Sequence, residues 1–255
     1  MIPIGDDNSD RRSTPVLTWA LIALNVLVFV VFQGCGANDR FTYALSTVPQ
    51  EILTGDDLVT ADRTVTDPSS GQRYTLPGLG VTPISVYITL IVSMFMHGGF
   101  AHLAGNMLYL FVFGDNVEDR IGRVRFLLFY LFCGVLASLA HVMTSKWTGQ
   151  DLAVPSLGAS GAISGVLGAY LLLFPKRRVR VIAIRFIIPV PAWVAVGIWF
   201  VFQIVNGLGY LGGGSGGGVA YAAHVGGFVA GLATIKLWAL PGHGPRHPPT
   251  RYRPA

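Results

Sequence analysis

Charge is what this sequence lacks most. Only 12% of its 255 residues are Asp, Glu, Lys or Arg, about half the ~25% usual in soluble domains. Hydrophobic residues make up 52% and the mean hydropathy is +0.55. A chain this poor in charge, with long apolar runs, reads as an integral membrane protein. Cysteine is almost absent as well. Cys35 and Cys133 stand in no CxxC or other metal-ligand spacing, which excludes a disulfide framework and a thiolate metal site. The six histidines form no ligand constellation either, so no metal or cofactor is called for. No internal repeat is visible, which removes support for a transporter built from inverted halves. The formal charge is +5, but the basic residues cluster at the ends of apolar runs. They do not form a basic face with interleaved aromatics, and nucleic acid is therefore excluded as a partner.

A membrane span needs about 20 mostly apolar residues. Six runs qualify or come close: Val16 to Phe32, Gly99 to Phe113, Phe126 to about Thr144, Leu157 to Phe174, Phe186 to Val205 and Val219 to Leu240. An amphipathic run from Ile84 to Met96 precedes the second. The first run could also be a cleaved signal peptide, and "VFQGC" before Cys35 resembles a lipoprotein cleavage site. Gln33 is too large and polar for that site, no small-x-small signal is clear, and further spans follow. The expected fold is an all-α, six-helix membrane bundle. Residues 1–15 would form an N-terminal tail, 16–240 the helical domain with a long outer loop at 34–97, and 241–255 a polar C-terminal tail. Most of the eighteen basic residues flank the spans on one side, including Arg11, Arg12, Arg120, Arg123, Arg125, Lys176 to Arg180 and Arg185. The positive-inside rule then places both termini in the cytoplasm and the 38–83 loop outside. That loop is long for a connection without secondary structure, which hints at function.

Polar residues at membrane depth are expensive and usually face the bundle interior. With both termini inside, the second, fourth and sixth spans all enter from the outer face. His102 and Asn106 then lie in the first turns of the second span, Ser160 in the first turn of the fourth and His224 in the first turns of the sixth. All four share one depth. His102 and Asn106 are four residues apart, on one helix face. Ser160 opens a helix, so its backbone N–H is an orphan donor at the positive end of the dipole. An oxyanion beside Ser160 would meet that N–H and two side-chain donors. His224 is a candidate base for the Ser160 hydroxyl. No Asp or Glu lies inside any of the six runs, so a hydrolase here would use a Ser–His dyad, its imidazole held by packing or an aromatic. Ser164 reads as structural, bonding back to a carbonyl. Gly161 and Gly165, and Gly227 and Gly231, are GxxxG pairs whose faces would let two helices approach closely. A histidine-ligated haem bundle, with His97 and His141, is weaker because no two histidines face each other at mid-membrane.

Taken together, these residues resemble the rhomboid family of intramembrane serine proteases. The resemblance covers about residues 84–240. "HGGFAHLAGN" is similar to the family's H-x4-H-x3-N, "GASG" to its G-x-S-G and "AHVGGFVAG" to its A-H-x2-G-x3-G. "GDNVEDRIG", from Gly114 to Gly122, is similar to its G-x3-E-x3-G. The resemblance implies a serine endopeptidase acting on transmembrane protein substrates near the outer face of a bacterial cell membrane, surrounded by lipid. Ser160 would be the nucleophile, His224 the base, and His102 and Asn106 the lining of the oxyanion hole. His97 would be a structural, hydrogen-bonding residue. Glu118 would tie inner helix ends together, with Arg120 or Arg123 as partner. Gly227 and Gly231 would pack the sixth helix on the fourth. The chain departs from the family in lacking a Trp-Arg pair in the first outer loop. The glycine-rich stretch from Gly207 to Gly218 falls where the family has a mobile cap, though it equally suits a spacer. A different class also fits the resemblance, a catalytically silent rhomboid-like protein that binds or escorts membrane clients. Such relatives have lost the serine or histidine; both are present here. Nothing in the sequence specifies an oligomeric state.

Overall fold

The computed structural model describes residues 1–66, 71–211 and 221–239. The chain opens with a strand, β1 (Ile2–Asp6), followed by helix α1 (Val16–Leu27), which continues as a π-helical stretch over Val28–Phe32. The segment that follows carries two short helices, α2 (Asp39–Ala44) and α3 (Pro49–Thr54), and a hairpin of β2 (Arg63–Thr66) and β3 (Arg73–Leu76). A broken helical run then includes α4 (Thr89–Val92) and leads into the bundle. The bundle continues as α5 (Phe100–Ile121), α6 (Arg123–Thr148) and α7 (Ser160–Leu173). Strands β4 (Arg178–Ala183) and β5 (Phe186–Pro191) lead to α8 (Ala192–Leu211), and α9 (Tyr221–Trp238) completes the described fold. Among the described residues, α6 and α8 are each long and apolar enough to cross a membrane. A third such unit is the run Val86–Phe95 joined to α5 through an 80° bend, while Val16–Phe32 and α7 are shorter apolar helices.

The structure corrects the all-α expectation. The chain is mostly helical, but β1, β4 and β5 form an antiparallel three-stranded sheet in the order β1-β4-β5. The segment taken as the start of a span at Phe186 is a strand, and the helix begins at Ala192. The physical reason is local. "RVRVIA" alternates with a period of two, with Val179 and Val181 buried and both arginines exposed. Pro189 and Pro191 cannot join a helix interior and are tolerated on an edge strand. The second helix also outruns its expected end at Phe113 by two turns. It therefore contains Asp115, Glu118 and Asp119, which the sequence reading had placed beyond the span. The segment expected as a long outer connection without regular structure is partly folded; Thr47 bridges Ser156 in the connector before α7.

Those carboxylates organise the end of the bundle opposite Ser160. Glu118 is 1% exposed. Its carboxylate accepts from the backbone N–H of Leu17 (3.0 Å) and of Thr18 (2.7 Å) and from the Thr18 hydroxyl (2.7 Å). It thus caps the first turn of α1, whose own N-cap residue, Pro15, supplies no side-chain bond. Arg123 approaches it at 3.9 Å. Asp119 accepts from the backbone of Arg12 and Ser13. The N-terminal segment, expected as a tail, is pinned instead. Asp6 accepts from the Tyr170 hydroxyl and from Asn116 Nδ2 (2.7 Å), Arg177 reaches Asn116 and Asp10, and Arg11 pairs with Asp115 at 2.8 Å.

The core is built around α7, of which Gly161 through Tyr170 are all buried. Its closest neighbour is α9. A Cβ on Gly227 would collide with the carbonyl oxygen of Gly161, one on Gly231 with that of Gly165, and one on Gly168 with that of Phe228. Only glycine permits this backbone separation. On the third side, a Cβ on Gly161 would lie 2.7 Å from Ala137 of α6.

Two predictions follow from this packing. Gly231→Ala should lower stability by about 1–3 kcal/mol, as overpacking does, whereas Gly105→Ala, which meets nothing within 4 Å, should leave it unchanged; thermal unfolding in detergent compares them. Burial holds the Asp6 carboxyl up at about 7, above its unfolded value near 3.8. Folded protein therefore keeps a proton that the unfolded chain loses, so Asp6 should cost stability progressively from about pH 4 to 7. Asp6→Asn should remove that slope and raise the melting temperature at pH 8.

Candidate active site

Ser160 is the first residue of α7, and the residue before it, Ala159, offers no side-chain cap. The first-turn N–H groups of α7 therefore lie at an unsealed helix end. Ser164, one turn on, donates to the Ser160 carbonyl at 2.6 Å. His224 is carried by the first turn of α9. Its Nε2 lies 2.8 Å from Ser160 Oγ. The glycine contact between α7 and α9 starts one residue beyond Ser160 and three beyond His224, which is what brings the two side chains together.

His224 has a second hydrogen bond. Its Nδ1 lies 2.8 Å from Oε1 of Gln203 on α8. An amide oxygen accepts, so Nδ1 carries the proton and the Nε2 lone pair faces the serine hydroxyl. Trp199, one turn earlier on α8, lies 6.2 Å from the imidazole, ring centre to ring centre.

His102 and Asn106 project from the first turns of α5 toward the connector before α7. His102 Nδ1 accepts from the Gly98 N–H at 3.3 Å, which places its proton on Nε2. A Cβ on Gly158 would lie 2.8 Å from His102 Nε2 and 3.7 Å from Asn106 Nδ2. Both donors thus converge on one space, two residues before Ser160. Asn106 is 9% exposed and its Nδ2 is buried without a partner among the described residues. A buried amide N–H held open in this way can receive an anionic oxygen. Gly158 itself has φ +124°, a conformation that disfavours any side chain.

These groups line one cleft of about 650 Å³, together with Tyr109, Ile163, Leu167 and Trp199 deeper in the bundle and Tyr43, His141 and Asp151 around it. Its chemistry is that of a hydroxyl against a neutral imidazole, beside converging N–H donors, in a largely apolar recess.

His97 is fully buried, edge-on to His102 at 5.2 Å between ring centres. Its backbone is held by Gln33, whose side chain both accepts from the His97 N–H and donates to its carbonyl at 2.9 Å. Glu118 lies at the far end of α5, away from the cleft. The glycine-rich stretch expected as a cap falls largely on 212–220, outside the described residues. Sequence reasoning missed Gln203 and Gln33. A signal existed for both: each is an amide within or at the end of an apolar helix, where a polar group needs a partner.

The family model of the Rhomboid domain matches residues 85–240. This chain belongs to the rhomboid family. It is 37% identical over 218 residues to rhomboid protease GluP of Bacillus subtilis, covering 84% of this chain and 36% of that protein. It is 35% identical over 164 residues to mitochondrial rhomboid protein 1 of Saccharomyces cerevisiae, covering 63% of this chain and 44% of that one. The human mitochondrial presenilin-associated rhomboid-like protein is 34% identical over 93 residues, 36% of this chain and 24% of its own. The chain thus spans less than half the length of each of these relatives. Family membership and the apolar helices together make this rhomboid a membrane protein.

Gly158→Ala tests how tightly the cleft is built. The added methyl would press on the His102 ring in a strained backbone. The variant should react with a serine-directed probe at least about 10-fold more slowly, and its strained backbone should also lower the unfolding temperature by a few degrees, when labelling and melting are compared in detergent.

Proposed function

We propose that this protein is an intramembrane serine endopeptidase that cuts transmembrane helices near their outer ends through a Ser160–His224 dyad. The observation that carries the reading is the 2.8 Å contact between His224 Nε2 and Ser160 Oγ at the wall of an open cleft. As a peptide carbonyl enters, Ser160 Oγ gives its proton to His224 Nε2 and attacks the carbonyl carbon. The developing oxyanion lies toward His102 Nε2–H, Asn106 Nδ2–H and the N–H groups opening α7. Collapse of the tetrahedral adduct breaks the C–N bond, and His224 returns its proton to the leaving amine. Water then enters the cleft, gives a proton to His224 and hydrolyses the acyl-enzyme. Carbonyls within a helix are already hydrogen-bonded, so the substrate must unwind locally, which favours small or helix-breaking residues at the cut.

The same reading holds that six helices (α1, α5, α6, α7, α8 and α9) span a bacterial inner membrane, with both termini cytoplasmic and the cleft opening outward. Several contacts support placing both ends of the chain on one side. β1 pairs with β4 after the end of α7, and Arg125 at the start of α6 donates to the Trp238 carbonyl at the end of α9. Most of the arginines lie at this end. Ser160, His102 and His224 occupy the other.

Fluorophosphonate labelling of purified protein tests the nucleophile. Wild type should label, and Ser160→Ala should not. Cleavage of a reconstituted transmembrane peptide should fall by at least about 10³-fold in the same variant. Equal labelling of the two would defeat the assignment.

A further inference from the structure

A Ser–His pair usually has a third group that orients the imidazole. Here no carboxylate is hydrogen-bonded to His224 among the described residues. The titratable groups around its ring are His102 on α5, His141 on α6, Asp151 in the connector before α7 and Tyr221 on its own helix. The two hydrogen bonds that the ring makes go to Ser160 and to Gln203.

Gln203 is out of place by composition. It sits in "GIWFVFQIV", a helix long and apolar enough to cross a membrane. Its neighbours Val201, Phe202 and Val205 are exposed at 57% or more, whereas Gln203 is 5% exposed. It is turned inward, and its carbonyl ends on His224 Nδ1. An amide left unpaired at this depth is costly, so the pair fixes the rotamers of both residues.

We propose that Gln203 is the positioning residue of the site: it selects the Nδ1–H tautomer of His224 and aims Nε2 at Ser160. The proposal rests on the Ser–His reading above. Gln203 does for tautomer and direction what a carboxylate does elsewhere, without adding a charge. A neutral amide stabilises the imidazolium less than a carboxylate would, but a second ion at this depth would carry its own desolvation cost. Trp199, one turn away on the same helix, lies near the same ring, so α8 orients the base with both residues. The arrangement also makes the state of the base depend on α8, a helix largely exposed on its other faces.

Two variants test this. Gln203→Leu keeps the bulk and removes the acceptor. Gln203→Glu keeps the acceptor and adds a negative charge, which favours the imidazolium. The readouts are fluorophosphonate labelling rate against pH, kcat and KM on a reconstituted transmembrane peptide, and thermal unfolding. Gln203→Leu should label about 10–100-fold more slowly, with the loss in kcat and not in KM. Gln203→Glu should label at a rate near that of wild type at high pH, with the midpoint of its acid limb moved to higher pH. A residue 203 turned away from the His224 ring would not move that midpoint, and the fall in kcat of Gln203→Leu reports the loss of the acceptor itself. Labelling of Gln203→Leu within about threefold of wild type, or an unmoved midpoint in Gln203→Glu, overturns the proposal. If Gln203→Leu fails to fold, the Gln203→Glu midpoint decides alone. Labelling that survives Ser160→Ala would instead overturn the protease reading itself.

Discussion

The close contact of α7 with α9 is the constraint on which the rest of this structure depends. Gly161, Gly165 and Gly168 face Gly227, Phe228 and Gly231 with backbone against backbone. Lipid supplies no hydrophobic drive for helices to associate, so van der Waals packing of small faces must do so. The benefit of that packing is positional. Ser160 and His224 sit at the same end of the contact. Among the described residues no carboxylate is hydrogen-bonded to His224, so the contact of its ring with Ser160 depends on this positioning.

The other helices then divide the work by depth. At one end, α5 offers His102 and Asn106 to the cleft. At its other end it offers Asp115, Asn116, Glu118 and Asp119 to the N-terminal segment and to α1. Glu118 is the strongest of these contacts, a buried carboxylate capping a helix remote in sequence. One helix therefore links the reactive end of the bundle to its scaffolding end. The sheet of β1, β4 and β5 adds to the scaffold: β1 runs beneath α5, and Met1, Pro3 and Val181 lie close to Tyr109 and Trp199 below the cleft.

The contrast between the two ends is chemical. Formal charges gather at the scaffold end, where arginines and carboxylates pair. The cleft end works with neutral polar groups: hydroxyl, imidazoles and the amides of Asn106 and Gln203. Neutral donors and acceptors at this depth cost less to bury than ions and still orient a proton transfer. Gln203 fits that economy, as does Asn106 with its buried, unpartnered N–H.

Much of this was legible in the sequence, for definite reasons. Apolar period and length marked where the helices fall. The topology expected from the basic flanks put Ser160, His224, His102 and Asn106 at one level, polar side chains in apolar helices were expected to turn inward, and GxxxG spacing named the faces that meet. The strand at 186–191 reads as the start of a span, because a short apolar run looks the same in a strand as in a helix; the alternation of "RVRVIA" is the local signal of its partner, and β1, 180 residues from β4 at the first pair, completes the sheet. Glu118 could be singled out as a tie between helix ends but not its partner, since the N–H groups it caps belong to α1. Gln203 could not be assigned to His224, because no spacing rule connects residues on separate helices. Composition and periodicity thus determined which segments form apolar helices and which polar residues each helix carries near its ends, a property each helix has alone. Distances between helices, and with them the contact of Ser160 with His224, its amide partner and the buried cap, were decided only when side chains from remote segments packed together.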